Sequence, residues 1–218
     1  MNYELLKRSI TSLILLPALI FCIQSAGFFL IILLVSIYFV SFYEIIKNTK
    51  NLLFIFTANI VLFLSLYSFY FLRSDNSNSL ITIYWILSAT FLSDIGGYTF
   101  GKIFKGKKLT KISPGKTYSG AIGSVLLSIF SLYIISAYQN FFYSENYINF
   151  YQLKYFILTI VISMVCQLGD LCVSFCKRKI NIKHISKLLP GHGGLLDRID
   201  GLIFVLIFNF LLKKIGLI

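Results

Sequence analysis

Seven apolar stretches dominate the chain, and mostly short polar segments separate them. They cover residues 11–23, 28–42, 52–72, 80–100, 119–138, 153–173 and 202–218. A helix needs about 20 predominantly apolar residues to cross the hydrocarbon core of a bilayer. Because such stretches recur from one end of the chain to the other, the sequence predicts an all-α, polytopic membrane protein, a helical bundle with about seven transmembrane helices.

The first two stretches are short, and the four residues 24–27 alone join them, which favours a tight helical hairpin. Lys7 and Arg8 precede the first stretch, so a signal peptide is the alternative. Apolar sequence resumes directly after the turn, and we therefore expect a membrane anchor. No internal repeat or low-complexity linker divides the chain, and we expect 1–218 to form a single membrane domain.

Lysine and arginine are distributed unevenly between the two faces that these spans define. If the N-terminus is cytoplasmic, sixteen of the twenty basic residues fall on the cytoplasmic side. The polar segments 101–118 and 174–200 each contribute six of them. Cytoplasmic loops normally carry the excess of basic residues. We therefore predict a cytoplasmic N-terminus, two cytoplasmic basic loops and an external C-terminus.

Composition supports the membrane class. It gives no reason to expect nucleic-acid binding, and the cysteine and histidine spacing gives none to expect a zinc site. Charged residues make up 13% of the 218 residues and the mean hydropathy is +0.83, whereas soluble domains carry roughly 25% charged residues. The net charge of +12 follows from the basic loops, so nucleic-acid binding is not needed to explain it. A zinc site is disfavoured, because the spacing of the candidate ligands matches no common pattern. Those ligands are Cys172, Cys176, His184 and His192.

Five of the eight acidic residues lie at or near predicted cytoplasmic helix ends or in the second basic loop. They are Glu44, Asp94, Asp170, Asp197 and Asp200. Asp94 and Asp170 are embedded in apolar stretches, where a charge costs roughly 2.5–3.5 kcal/mol at the helix centre. Each is functional, or is neutralised by a nearby lysine or arginine, or reaches into the lipid headgroups. A carboxylate cluster beside lysine-rich loops suits metal-dependent chemistry on a polyphosphate, because Mg²⁺ takes carboxylate oxygens and basic groups bind phosphate.

The segment 113–117 contains Gly-Lys-Thr, the ending of a nucleotide-binding P-loop. A P-loop needs another glycine where Thr110 stands, and no buried strand precedes the segment, so we reject this assignment. A Pro-Gly turn remains, which presents Lys116 before a helix that starts near Ser119. Such a turn can bind phosphate, and a plain loop turn is the alternative.

The segment 190–200 places three glycines around His192. Glycine lets a ligand approach the backbone closely. Asp197 and Asp200 share a face if the segment is helical, and Arg198 has the planar guanidinium that suits phosphate. His192 is a candidate acid or base, a phosphate donor or a structural donor, and the residues alone do not decide among these roles.

These segments resemble the signature of the phosphatidate cytidylyltransferase (CDP-diglyceride synthase) family. The resemblance is close over about residues 90–205 and rests on Ser93 through Thr117, Gly169-Asp170-Leu171, Ser174-Phe175-Cys176-Lys177-Arg178, Lys183-His184, and Pro190 through Asp200. His184 stands where the family usually has aspartate, and Cys176 where it has an aliphatic or aromatic residue. The chain is also short for the family, and loss of an N-terminal span is the expected difference.

The resemblance implies that phosphatidic acid attacks the α-phosphorus of CTP and that pyrophosphate leaves. It implies Mg²⁺ on Asp170 and Asp197, a second monovalent cation such as K⁺, and supporting roles for Asp94, Asp200 and His192. The implied substrate-binding residues are Ser113, Lys116, Ser174, Lys177, Arg178 and Arg198. We also expect a homodimer in the inner membrane whose site faces the cytoplasm. The expected parts are N-terminal spans in 1–90, a catalytic core in 91–205 and a last span in 202–218.

Three other functions are alternatives to this one. A CDP-alcohol phosphatidyltransferase is disfavoured, because Asp197-x-x-Asp200 has the wrong spacing for that motif and its upstream half is absent. A transporter or an inactive membrane scaffold is the alternative from another class. Transporters often consist of paired halves with broken helices, and the sequence has no such symmetry.

Cysteine labelling tests the predicted orientation. In a variant without native cysteines, new cysteines at Lys107 and Lys187 should not react with an impermeant maleimide added to intact cells. A cysteine at Asp75, in a predicted external loop, should react. Labelling of position 107 or 187 from outside would show that the two basic loops do not share a cytoplasmic face.

Overall fold

A computed structural model describes the backbone of residues 3–74, 77–110, 113–142, 148–180, 182, 185–186 and 193–218. For residues 3–12, 14 and 77 the description is limited to the backbone. His184, His192 and Lys187 therefore lie outside the described residues.

The described residues form seven α-helices, and the only β-type pairing among them is an isolated bridge between Lys108 and Thr117. The helices are α1 (Tyr3–Ser25), α2 (Gly27–Asn48), α3 (Leu52–Leu72), α4 (Ser77–Phe104), α5 (Tyr118–Phe142), α6 (Leu153–Lys179) and α7 (Leu196–Lys214). Within this part of the chain, α2 to α6 are long and apolar enough to cross a membrane. The all-α, polytopic membrane class is confirmed.

Several helices extend beyond the apolar stretches that predicted them. α4 continues to Phe104 and α6 to Lys179, while α7 begins at Leu196 rather than near residue 202. The predicted loops 101–118 and 174–200 are correspondingly shorter. Helix ends carry partial charges, so three basic residues in the last turn of α6 and Asp197 in the first turn of α7 favour the extra turns. Hydropathy therefore locates the apolar part of a helix and misses its charged ends.

Helices α4 and α5 pack with unusually close backbones. A Cβ atom at Gly96 would meet the backbone of Gly123, and one at Gly123 would meet the ring of Phe100. A Cβ at Gly120 would lie 2.7 Å from the carbonyl oxygen of Gly97. Small residues allow such approach between membrane helices, where van der Waals contact drives association. The two glycines that follow Asp94 on α4, together with Gly120 and Gly123 on α5, therefore fix the position of α4 against α5.

A second contact joins α4 to α6 in the centre of the bundle. Trp85 is fully buried, and its indole N–H donates to the Thr159 hydroxyl at 3.0 Å. Two turns further along α4, the hydroxyls of Ser93 and Ser163 are hydrogen-bonded at 2.8 Å. These paired polar groups set the register of α4 against α6, and Asp94 follows directly.

Substitution at Gly123 tests the close approach of α4 and α5. Gly123→Val should lower the stability of the detergent-solubilised protein, because overpacking costs roughly 1–3 kcal/mol. For a chain of this size the midpoint of thermal unfolding falls by about 2–4 °C per kcal/mol. Gly115→Val is the matched control, since a Cβ there meets nothing within 4 Å. Equal melting temperatures for the two variants would contradict the proposed packing.

Candidate active site

A polar cavity of about 360 Å³ lies among α4, α5, α6 and α7. The segment that joins α4 to α5 closes one side of it. Three helices contribute acidic groups to its lining: Asp94 from α4, Asp170 from α6, and Asp197 and Asp200 from α7. Lys116, Ser174 and Arg198 also line it. The structure thus brings together seven of the residues that the sequence singled out.

A turn in the segment between α4 and α5 places Lys116 in the cavity. The Lys116 N–H donates to the Ser113 carbonyl at 3.0 Å, which closes the predicted Pro-Gly turn. The Leu109 N–H donates to the Lys116 carbonyl at 2.8 Å and holds the two arms of the turn together. The Lys116 ammonium then lies 3.1 Å from Asp170 Oδ2 and 3.2 Å from the Gln167 carbonyl oxygen. The predicted turn is confirmed, and its lysine contacts an acid of the site.

A second lysine joins α6 to α7. The Lys177 ammonium lies 2.9 Å from Asp197 Oδ1 and 3.4 Å from Asp200 Oδ2. All three side chains are at most 18% exposed. Because Asp197 and Asp200 are three residues apart on a helix, one ammonium contacts both. Their predicted common helix face is confirmed.

The backbone of α7 passes directly over the acid of α6. A Cβ at Gly201 would lie 2.6 Å from both Asp170 Oδ1 and Cys166 Sγ. A residue with any side chain here would push α7 away from α6. Gly201 therefore allows the acids of the two helices to line one cavity.

Asp200, which lies outside the five apolar spans, is affected both by burial and by the neighbouring acid Asp170. Burial and the negative charge of Asp170 raise the pKa of the Asp200 carboxyl to about 7. Carboxylates that repel one another in this way are relieved by a cation, and Mg²⁺ takes oxygen ligands.

The donor atoms fit a hard cation. Asp94, Cys166 and Asp170 each place a ligand atom within 4.8 Å of the other two. The Cys166 thiol donates to Asp94 Oδ1 at 3.5 Å, so it contacts a carboxylate. Thiols are soft ligands that Mg²⁺ does not select, which leaves the carboxylates as its candidate ligands. Asp94, so far assigned a supporting role, is the acid grouped with Asp170.

Several predicted site residues lie elsewhere. Arg178 is exposed, and its guanidinium donates to the Ile182 carbonyl at 3.0 Å. Ser113 forms the turn below Lys116 and is absent from the described cavity lining. Lys177 contacts two acids of the site, but its side chain lines a second, apolar cavity of about 210 Å³ among α2, α3, α6 and α7. No position can be given for His192, which falls outside the described residues.

Sequence reasoning assigned no role to Gln167, which contacts the site, or to Glu44, which contacts the start of α7. Gln167 supplies the carbonyl that holds Lys116, and its amide donates to the Ala121 carbonyl at 3.4 Å. Its polarity within an apolar stretch, three residues before Asp170, was the available signal. Glu44 was noted among the acids near the cytoplasmic ends, but nothing in the sequence connected it with α7.

Comparison of the sequence with those of known proteins places this chain in a family. The chain is 33% identical to a phosphatidate cytidylyltransferase of Rickettsia bellii over 207 residues, which are 92% of this chain and 87% of the relative. It is 39% identical to the enzyme of that name from Rickettsia conorii over 66% of this chain and 62% of the relative.

A Staphylococcus saprophyticus protein of the same name is 36% identical over 67% of this chain and 55% of its own length. The chain thus spans less than two thirds of two of these three relatives. The sequence profile of the cytidylyltransferase family matches residues 47–215, which include all four acids of the cavity. The chain therefore belongs to the cytidylyltransferase family.

Proposed function

We propose that this chain is a phosphatidate cytidylyltransferase, which makes CDP-diacylglycerol and pyrophosphate from CTP and phosphatidic acid. One observation carries the proposal. Four carboxylates and a lysine on a rigid turn line one cavity among the helices of a polytopic membrane protein of the cytidylyltransferase family. A soluble nucleotide and a membrane lipid both need access to such a site.

The reaction transfers a cytidylyl group. An oxygen of the lipid phosphate forms a bond to the α-phosphorus of CTP, and the bond from that phosphorus to the bridging oxygen of the β-phosphate breaks. Pyrophosphate leaves with the electron pair of the broken bond. Catalysis of this kind depends on positioning and on stabilising the charge that develops on the phosphate oxygens.

The residues divide between cation binding and phosphate binding. Asp170 and Asp197 are the proposed Mg²⁺ ligands, with Asp94 next to Asp170. Mg²⁺ bound there supplies positive charge to the phosphate oxygens. A second monovalent cation such as K⁺ is part of the proposal. Lys116 and Arg198 face the same cavity and present positive charge to the phosphates.

The lipid substrate accounts for the membrane architecture. Its acyl chains stay in the bilayer while its phosphate reaches the acids near the helix ends. The uneven distribution of basic residues supports a site that faces the cytoplasm from the inner membrane. We further propose that the protein acts as a homodimer.

A direct assay tests the proposed activity. Purified protein in mixed micelles receives radiolabelled CTP and phosphatidate, with and without Mg²⁺. We expect label in the organic phase only when phosphatidate and Mg²⁺ are both present. Absence of lipid-linked label with folded protein would overturn the proposal and favour the scaffold alternative. Uptake of solute by proteoliposomes without nucleotide turnover would favour a transporter.

Neutralising each proposed metal ligand tests the assignment of the site. Asp170→Asn and Asp197→Asn keep the side-chain size but remove a charged oxygen. Each should lower activity by at least about a hundredfold, the scale of losing a key charge-stabilising group. Asp75→Asn is the matched control, because Asp75 falls in a loop predicted on the opposite face. Near-normal turnover in either site variant would mean that the ligands are wrongly assigned.

His184→Asp tests the position at which this sequence departs from the family pattern. We propose that His184 lies at the edge of the site and only tunes the local charge. Restoring aspartate should then change kcat/KM for CTP by less than about tenfold, or roughly 1.4 kcal/mol. A gain of several hundredfold would show that the position holds a ligand and that this chain is a degenerate family member.

A further inference from the structure

Glu44 is a fully buried carboxylate that connects α2 with the start of α7. It lies in the last turns of α2 and is 0% exposed. One carboxylate oxygen accepts the Ser186 hydroxyl and the Leu195 N–H, the latter at 2.9 Å. The other accepts the Leu196 N–H at 3.0 Å. Glu44 thus contacts backbone more than 150 residues away in the chain.

These contacts cap α7 from another helix. The first N–H groups of a helix have no partner within it. At the start of α7, Leu195 occupies the capping position and offers no side-chain acceptor. The carboxylate of Glu44 supplies the acceptors, and negative charge is favourable at a helix N-terminus.

Asn48, one turn further along α2, extends the connection to Asp197. Its amide donates to the Ile185 carbonyl at 2.7 Å. The Ile185 N–H in turn donates to Asp197 Oδ2 at 3.1 Å. The other oxygen of Asp197 accepts from Lys177. Both oxygens of this acid are therefore fixed, one of them through a segment that α2 holds.

The space around Glu44 leaves little room for another arrangement. A Cβ at Gly194 would lie 3.2 Å from Glu44 Oε1 and 3.1 Å from the Ser186 nitrogen. Ser186 on one side and Leu195 and Leu196 on the other are thus drawn against one carboxylate.

We infer that Glu44 is a positioning residue for Asp197. Its carboxylate accepts the N–H groups at the start of α7 and the Ser186 hydroxyl. Through α7 and the segment 185–186 it sets the location of Asp197 in the catalytic cavity. The consequence for turnover rests on the proposed function, whereas the consequence for the start of α7 does not.

Gln139 provides a matched control. It is also fully buried, and its amide accepts from the Ile148 N–H and donates to the Ile148 carbonyl, both at 3.1 Å. It lies 21 residues beyond the first residue of α5, so it is about 30 Å from the end that borders the cavity. Gln139→Ala therefore removes a similar buried contact to backbone without touching the site.

The test compares Glu44→Gln, Asn48→Ala and Gln139→Ala in the full-length protein. Glu44→Gln places an amide N–H₂ against a backbone N–H donor, and Asn48→Ala removes the bond to Ile185. Hydrogen exchange followed by mass spectrometry should show at least tenfold faster exchange in peptides covering 193–200 for Glu44→Gln. Peptides covering 185–186 should also exchange faster, and peptides from α4 and α5 should be unchanged. Gln139→Ala should affect peptides around residue 148 instead.

The same variants are then assayed with CTP and phosphatidate. For Glu44→Gln we expect kcat to fall ten- to a hundredfold, the scale seen when groups behind a metal ligand are lost, with KM for CTP within threefold of the parent. Asn48→Ala should shift kcat in the same direction, and Glu44→Asp, which keeps both oxygens, should recover part of the loss. Gln139→Ala should keep the parental kcat.

Two outcomes would overturn the inference. Unchanged exchange over 193–200 in Glu44→Gln would show that Glu44 does not hold the start of α7. Faster exchange with normal kcat would show that it holds α7 without positioning Asp197. If the parent protein itself does not turn over CTP, the proposed function fails, and the exchange experiment still decides whether Glu44 fixes this helix.

Discussion

The placement of four carboxylates within a largely apolar helix bundle is the constraint on which the rest of this structure depends. Asp94, Asp170, Asp197 and Asp200 come from three helices and line one cavity. Charges are costly in such surroundings unless they are paired. Lys116 and Lys177 supply the pairing charges, since each contacts at least one of the acids. The turn before α5 positions Lys116, the end of α6 positions Lys177, and the capped start of α7 positions Asp197.

The helices were predictable because a helix that crosses a membrane appears in the sequence as a run of about 20 mostly apolar residues. Each of the seven predicted stretches lies mainly within one of the observed helices. Their ends were less accessible. The last turns of α6 and the first turn of α7 are charged, so they were assigned to loops. Helix ends stabilised by dipole interactions and by contacts from other helices carry no apolar signal.

The acids of the site were predictable for a related reason, because an intramembrane carboxylate needs an explanation. Asp94, Asp170, Asp197, Asp200 and Lys116 do share one cavity. Their partners were not predictable. Arg178 looked like a phosphate ligand yet contacts the Ile182 carbonyl, and Glu44 acts on backbone about 150 residues away. No local pattern encodes a contact at that separation, so only the folded chain reveals it.

The glycines of the bundle have a consequence for how mutational screens of this protein should be interpreted. Gly96, Gly120, Gly123 and Gly201 all lie where a single added carbon would meet another helix or an acid of the site. A screen scored by enzymatic output alone would rank them with Asp170 and Asp197. Scoring the amount of folded protein in the membrane separates the two groups, because the aspartates are the proposed metal ligands while the glycines govern whether the helices meet at all.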